Sequence, residues 1–358
     1  MTRATALDDY RLLGRSGLRV SPLALGTMTF GTEWNWGADE GEASRIFDRY
    51  VERGGNFIDT ANRYTEGSAE RLVGRFAEGR RHSLVIATKY TLPMIDGDPN
   101  SGGNHRKSLI RSVEDSLVRL QTDYIDLLYL HAWDFTTPVD EILRAMDDVV
   151  RSGKVMYLGI SDTPAWQVAR MQAIADLRGW SPLIAYQAEY SLIERTAERD
   201  IIPMAREMGL GVVPWSPLGS GVLTGKYGRQ DLGASPGGSA ADGSRRDVAI
   251  GNGSLTERGL TIAAMVKSVA SNMGRTPSQV ALAWTLANPA VTASLIGART
   301  LGQLDDNLGS LEVEFDDQLR GEFEEASAID LGFPHAFLQR PMTRAIMFGE
   351  AGGPPIRT

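Results

Sequence analysis

The chain of 358 residues is 42% hydrophobic, enough to bury a sizeable core, and its length suits one large α/β barrel or two ordinary domains. A formal charge of −8 argues against nucleic acid or an anionic membrane as the main partner, leaving room only for a local basic pocket. The absence of cysteine excludes disulfides and thiolate chemistry, and four histidines without metal-ligand spacing leave no metal site, so the chemistry must run on oxygen and nitrogen groups.

The N-terminus, Met1 to Tyr10, is polar and acidic, and no stretch of about 18 apolar residues follows it, so a cytoplasmic location is expected. Tyr10 to Gly26, punctuated by Gly14 and Gly17, reads as a hairpin leading into a first strand over 23–25. Further apolar runs predict strands over 56–58, 84–87, 125–130, 155–160, 183–187, 211–213 and 292–296. Between them, amphipathic segments predict helices near 41–53, 69–76, 106–120, 139–152, 164–177, 197–207 and 277–288. In 139–152, Ile142, Leu143, Met146, Val149 and Val150 share one helical face and Gly153 follows as a C-cap, which is core packing. The alternation of strand and helix makes a (β/α)8 barrel with an N-terminal hairpin the leading architecture. One domain over 1–358 is expected, with its core over 10–311 and a C-terminal helix and tail over 312–358. The stretch 225–254, after the seventh strand, is rich in Gly, Ser, Ala and Asp and reads as a long flexible loop serving as a lid or binding element.

Reactive groups gather at predicted strand ends: Asp59 after Asn56-Phe57-Ile58, Lys89 after Val85-Ile86-Ala87, His131 after Leu127-Leu128-Tyr129-Leu130, and Ser161-Asp162 after Gly159-Ile160. Singly, such a Lys is a solvated side chain, such a His a satisfied hydrogen-bonding residue, and Ser161-Asp162 before Thr163-Pro164 a helix N-cap. In a barrel, Asp59, Lys89 and His131 come from consecutive strands and converge on one mouth, with Tyr64 in the loop beside them. There an ammonium at Lys89 would lower the pKa of Tyr64, Asp59 would hold Lys89, and His131 would orient a carbonyl oxygen toward the Tyr64 hydroxyl. Such a set moves one proton at a carbonyl or alcohol oxygen, which pairs with hydride transfer from a cofactor.

Asn56-Phe57-Ile58-Asp59-Thr60-Ala61 with Tyr64, Ala87-Thr88-Lys89 and Leu130-His131 resembles the aldo-keto reductase family, over about Tyr10 to Leu311. Arg106-Lys107-Ser108-Leu109-Ile110, Ser112-Val113-Glu114 and Ser116-Leu117 through Arg119-Leu120-Gln121-Thr122-Asp123-Tyr124-Ile125-Asp126 look like its long signature, closer to the bacterial and potassium-channel β-subunit-like branch. The resemblance implies a (β/α)8 barrel, NADPH/NADP+ as cofactor, a small-molecule carbonyl or alcohol as substrate, and a catalytic tetrad at Asp59, Tyr64, Lys89 and His131. It also implies that Ser161, Asp162 and Gln187 hold the nicotinamide carboxamide, that Trp215 stacks on the ring, and that Gly26, Thr27, Met28 and Asp59 lie along the cofactor. Ser216, Pro217, Leu218, Gly219, Ser220, Gly221, Leu223, Gly225 and Lys226 resemble the loop over the pyrophosphate, where glycines permit close backbone approach. Ile296, Gly297, Ala298, Arg299, Thr300, Gln303, Asp306 and Asn307 look like the adenosine and 2′-phosphate site.

Two positions depart from the family pattern: Asp162, where Asn is common, and Trp215, where Tyr or Phe is common. Both keep the acceptor or the aromatic face, so neither is expected to remove activity. Trp34 and Trp36 line an aromatic substrate pocket, beside Tyr64 and His131, or else anchor a loop. The residues themselves leave two rivals to an NADPH-dependent reductase: a regulatory subunit that binds NADPH with little turnover, and a barrel isomerase that binds no nucleotide.

Overall fold

Successive side chains of a strand point to opposite faces, so a barrel strand sends alternate residues inward and the rest toward the helices around it. The computed structural model describes residues 4–232 and 246–349. An antiparallel hairpin, β1 (Arg11–Leu12) and β2 (Arg19–Val20), precedes eight parallel strands. These are β3 (Leu23–Gly26), β4 (Phe57–Asp59), β5 (Val85–Tyr90), β6 (Ile125–Leu130), β7 (Val155–Ser161), β8 (Leu183–Glu189), β9 (Gly211–Trp215) and β10 (Ser294–Gly297). Neighbours in sequence are neighbours in space, and β10 pairs with β3. The ring closes at Val212 of β9, whose N–H donates to the Ala290 carbonyl at 3.3 Å and whose carbonyl accepts from the Thr292 N–H at 2.9 Å. The result is a (β/α)8 barrel.

Leu13 and Val20 of the hairpin pack with the inward residues Ala24, Phe57, Val85, Leu127, Ile184 and Ala293, plugging the barrel. Above them Tyr129 lies across Gly159, where a Cβ would stand 2.4 Å from the ring, so glycine is required there. The alternate residues Ile58, Ile86, Leu128, Leu130 and Ile160 face outward into the larger core shared with the helices. Those helices are α1 (Glu40–Glu52), α2 (Ser68–Phe76), α3 (Arg106–Leu120), α4 (Val139–Arg151), α5 (Ala165–Arg178) and α6 (Ile201–Met208). After β9 come α7 (Arg246–Gly251), α8 (Glu257–Asn272) and α9 (Pro277–Ala287), and after β10 comes α10 (Leu301–Leu308). The described chain ends with α11 (Asp317–Ser327), α12 (His335–Leu338) and α13 (Pro341–Phe348), three helices where one was expected.

The segment 225–254 is not a loop throughout, because α7 lies within it, while residues 233–245 fall outside the described residues. With only Ala249 buried, α7 is too short to announce itself by periodicity. The unanticipated α8 has a proper cap, the Thr256 hydroxyl accepting from the Gly259 N–H at 3.0 Å, and buries Ile262, Val266 and Val269. Interspersed Ala and Ser residues dilute its apolar stripe in the sequence.

Glu70 of α2 is fully buried and ties three elements together. Its carboxylate accepts from the Thr88 hydroxyl of β5 at 2.5 Å and from Arg119 Nε of α3 at 2.6 Å. Removing one partner of a buried ion pair strands the other in a low dielectric, at a cost of about 3–5 kcal/mol. Arg119→Met is therefore expected to lower the unfolding free energy by about 3 kcal/mol, read from the urea midpoint at unchanged slope. A loss under roughly 0.5 kcal/mol would mean that the pair does not hold these elements.

Candidate active site

The inward residues at the C-terminal ends of the strands are polar where those lower down are apolar. Along β4 the inward pair is Phe57 then Asp59, along β5 Val85, Ala87 then Lys89, and along β8 Ala185 then Gln187. This two-residue period turns three separate strand ends into one cluster. Lys89 and Asp59 are buried and form an ion pair through Nζ and Oδ1. Lys89 Nζ also donates to the Thr60 carbonyl at 2.9 Å and to the Tyr64 hydroxyl oxygen at 3.3 Å. The second Asp59 oxygen accepts from Gln187 Nε2 at 2.8 Å, a tie that sequence reasoning missed. His131 sets its ring edge-on to Tyr64, with centroids 5.8 Å apart.

Burial is the largest single influence and works against the charge of Lys89, but the Asp59 carboxylate and Tyr64 together outweigh it and hold the ammonium above its usual range. Tyr64 corrects an expectation: burial raises its phenol, and the Lys89 ammonium offsets only part of that, so the net shift is upward. Burial, reinforced by Lys89, lowers His131 to about 3, which leaves a neutral imidazole at physiological pH.

Tyr64 is carried by an unusual turn. Thr65, Glu66 and Gly67 are successive left-handed residues with φ of 45°, 55° and 84°. Left-handed Thr is strained, and its hydroxyl compensates by donating to the Phe30 carbonyl at 2.7 Å while accepting from the Ala69 N–H at 3.1 Å at the start of α2. Trp34 stands edge-on to Tyr64 at 6.5 Å, and its indole N–H donates to Glu66 Oε1 at 3.2 Å.

A cavity of about 630 Å³ opens from this cluster across the barrel mouth. Near the cluster its wall is Gly26, Met28, Trp34, Asp59, Tyr64, His131, Ser161, Asp162, Gln187 and Trp215. The run Ser216, Pro217, Leu218, Ser220, Gly221 and Lys226 continues it, and Ile296, Gly297, Arg299, Gln303, Asp306 and Asn307 form the far end. Other residues named from the sequence stand behind this wall. Thr27 donates to the Asp59 carbonyl at 3.0 Å, the Ala298 carbonyl accepts from the Thr29 hydroxyl at 2.7 Å, Gly219 and Leu223 are buried, and Gly225 ends the turn over 219–224. Trp36 packs on Trp34 at 5.8 Å, and its carbonyl accepts from Arg299 at 3.4 Å. Wall residues that sequence reasoning missed are Thr29, Arg63, Leu92, Thr224, Val248, Asn252, Ser278, Leu282 and Leu295. Asn252, which donates to the Ser220 hydroxyl at 3.1 Å, belongs to the segment already marked as a binding element. Ser278 could have been found from Thr276 and Gln279, which form a capping box at the start of α9.

Asp162 and Trp215 are coupled, the indole N–H donating to Asp162 Oδ1 at 2.9 Å. Asp162 has φ of 40°, a conformation that Asp and Asn tolerate, and burial raises its carboxyl. It does not cap the following helix: Pro164 is the N-cap of α5 and no side chain bonds there.

The cavity has features suited to an elongated phosphate-bearing ligand. Gly221 has φ of 91°, a conformation that favours glycine, and without a Cβ its backbone leaves room for the Lys226 ammonium beside it. The Ser161 hydroxyl is buried with no partner among the described residues. The N-terminus of α10, capped by Thr300, borders the end where Arg299 sits, and its Leu301 N–H already donates to Glu42 Oε1 at 2.6 Å.

Comparison with known proteins bears on the whole chain. The sequence profile described as the Aldo/keto reductase family matches residues 22–328. A norsolorinic acid reductase of Aspergillus flavus is 38% identical over 95% of this chain and 87% of its own length. An uncharacterized oxidoreductase of Bacillus subtilis is 41% identical over 87% of this chain and 93% of its own, and an aryl-alcohol dehydrogenase of Pestalotiopsis microspora is 37% identical over 93% and 85%. A barrel with a buried Asp59–Lys89 pair beneath Tyr64, a profile match over residues 22–328 and relatives of this similarity together place the chain in the aldo/keto reductase family of oxidoreductases.

Proposed function

We propose that the protein is an NADPH-dependent reductase of aromatic aldehydes or ketones, reversible toward the alcohol, with Tyr64 as the proton donor. The observation that carries this reading is the contact of the Tyr64 hydroxyl with the Lys89 ammonium, 3.3 Å apart, at the wall of the cavity. When bound, the nicotinamide supplies the hydride. Ser161, Asp162 and Gln187 would hold its carboxamide, Trp215 its ring, and Arg299 with Gln303 the 2′-phosphate. Lys89 donates into the Tyr64 oxygen, so the phenol's own proton is turned away from Lys89 and toward a substrate oxygen. His131, neutral, donates a hydrogen bond from its ring to the same oxygen and orients it. The upward shift of Tyr64 keeps that proton loaded at neutral pH. The aromatic preference is supported by Trp34 beside Tyr64 and by relatives named as an aryl-alcohol dehydrogenase and norsolorinic acid reductases.

Tyr64→Phe is expected to lower kcat for benzaldehyde reduction by about 10²-fold or more, with the NADPH Kd, read by fluorescence titration, nearly unchanged. A variant that keeps over roughly a tenth of kcat, with chemistry rate-limiting, removes Tyr64 from the role. Since its raised pKa keeps the phenol protonated, reductive kcat should persist through about pH 9 and fall only above the ordinary tyrosine value near 10. A fall that sets in near neutral pH would contradict the shift.

Arg299→Ala tests cofactor choice. A charge-assisted contact is worth about 1.5–3 kcal/mol, so the Kd for NADPH should rise roughly ten- to a hundredfold while that for NADH stays put. Equal losses for both would mean that Arg299 does not read the 2′-phosphate.

A further inference from the structure

We infer that Arg63 is the receptor for an acidic group on the substrate, and that the preferred substrates are aromatic aldehydes or ketones bearing a carboxylate; this rests on the carbonyl reduction proposed above. The charges around the cavity are unevenly distributed. Of the other charged wall residues, Asp306 accepts from Thr276 and Gln279, Arg299 donates to the Trp36 carbonyl, and Asp162 is engaged by Trp215. Lys89 and Asp59 neutralise each other, and Lys89 lies beneath the wall. Beside Tyr64 the wall carries Trp34, His131 and, one residue earlier in the chain, Arg63. With His131 neutral, Arg63 is the ionised side chain of that group.

Arg63 has a partner, but a weak one. Its Nη1 pairs with Glu66 Oε2, and the two side chains are 30% and 45% exposed, so solvent screens the pair. Trp34 holds the other Glu66 oxygen and draws that carboxylate toward the rim. A guanidinium presents five N–H donors in a planar fork, and among the described residues no other side-chain acceptor holds that of Arg63. The open part of the fork matches the two oxygens of a carboxylate.

Position adds to chemistry. Arg63 immediately precedes Tyr64, and the left-handed residues Thr65 and Glu66 follow, anchored by the Thr65 hydroxyl on the Phe30 carbonyl. Strain of this kind persists where the surroundings fix it, and here it fixes the backbone that carries the Arg63 guanidinium next to the proton donor. A substrate whose carbonyl oxygen meets Tyr64 and His131 then has its ring against Trp34 and a ring substituent within reach of Arg63.

The test compares KM for 4-carboxybenzaldehyde, 3-carboxybenzaldehyde and the uncharged shape-match 4-formylbenzamide, with NADPH saturating. The amide withdraws more electron density from the ring, so intrinsic reactivity works against the expected result. At least one carboxylate should show a KM about five- to tenfold below the amide, and the gap should shrink with added salt. In Arg63→Gln the ratio of the two KM values should fall to about one, whatever the overall rate. In Glu66→Gln, which removes the competing carboxylate and leaves Arg63 in place, the ratio should widen. Equal KM values for carboxylate and amide in the wild type, or a ratio unmoved in Arg63→Gln, overturn this inference alone. Absence of turnover with all three aldehydes overturns it together with the proposed reduction.

Discussion

A charged pair inside a barrel is the constraint on which the rest of this structure depends. Asp59 and Lys89 are almost wholly shielded from solvent, and desolvating two ions costs several kcal/mol each unless every donor and acceptor is met. Here they are met. The three N–H groups of the ammonium go to Asp59, the Thr60 carbonyl and Tyr64, and the second carboxylate oxygen goes to Gln187. Tyr64 thus completes the shell of a buried cation, and this fixes both where its oxygen lies and which way its proton faces. The barrel below serves that arrangement: Tyr129 lies across Gly159, and Glu70 holds β5 through Thr88, one residue before Lys89.

Much of this was legible in the sequence because strands carry a simple code. Apolar runs located the eight barrel strands, and the ends of three consecutive strands brought Asp59, Lys89 and His131 to one mouth once the barrel was drawn. What the sequence hides is solvent. A neighbouring Lys89 can be read from spacing, but the burial that outweighs its effect on Tyr64 exists only in the folded chain. Likewise, nothing in the run Asn62-Arg63-Tyr64 says that Arg63 faces the cavity, since that direction is set by the left-handed turn after Tyr64, and left-handed Thr65 has no sequence signature. The helix α8 escaped for a different reason, its small residues giving too little contrast between faces.

The two departures at the cavity wall turn out to be one. Trp215 supplies an indole N–H that Phe would lack, and Asp162 accepts it. The bond holds the indole at the point where β9 leaves the barrel. The aromatic face and the acceptor are therefore positioned by each other, which a residue-by-residue reading of the same two positions could not reveal.

The central claim is that hydride and proton meet at one carbonyl above Tyr64. The direct measurement is a single turnover with enzyme in excess, using NADPH deuterated at the transferable C4 position and benzaldehyde, with the product analysed by mass spectrometry. The account predicts benzyl alcohol carrying one deuterium on its benzylic carbon, formed in proportion to the cofactor consumed. Tight cofactor binding with no labelled alcohol would contradict it, and would point instead to a protein that holds NADPH without reducing a carbonyl.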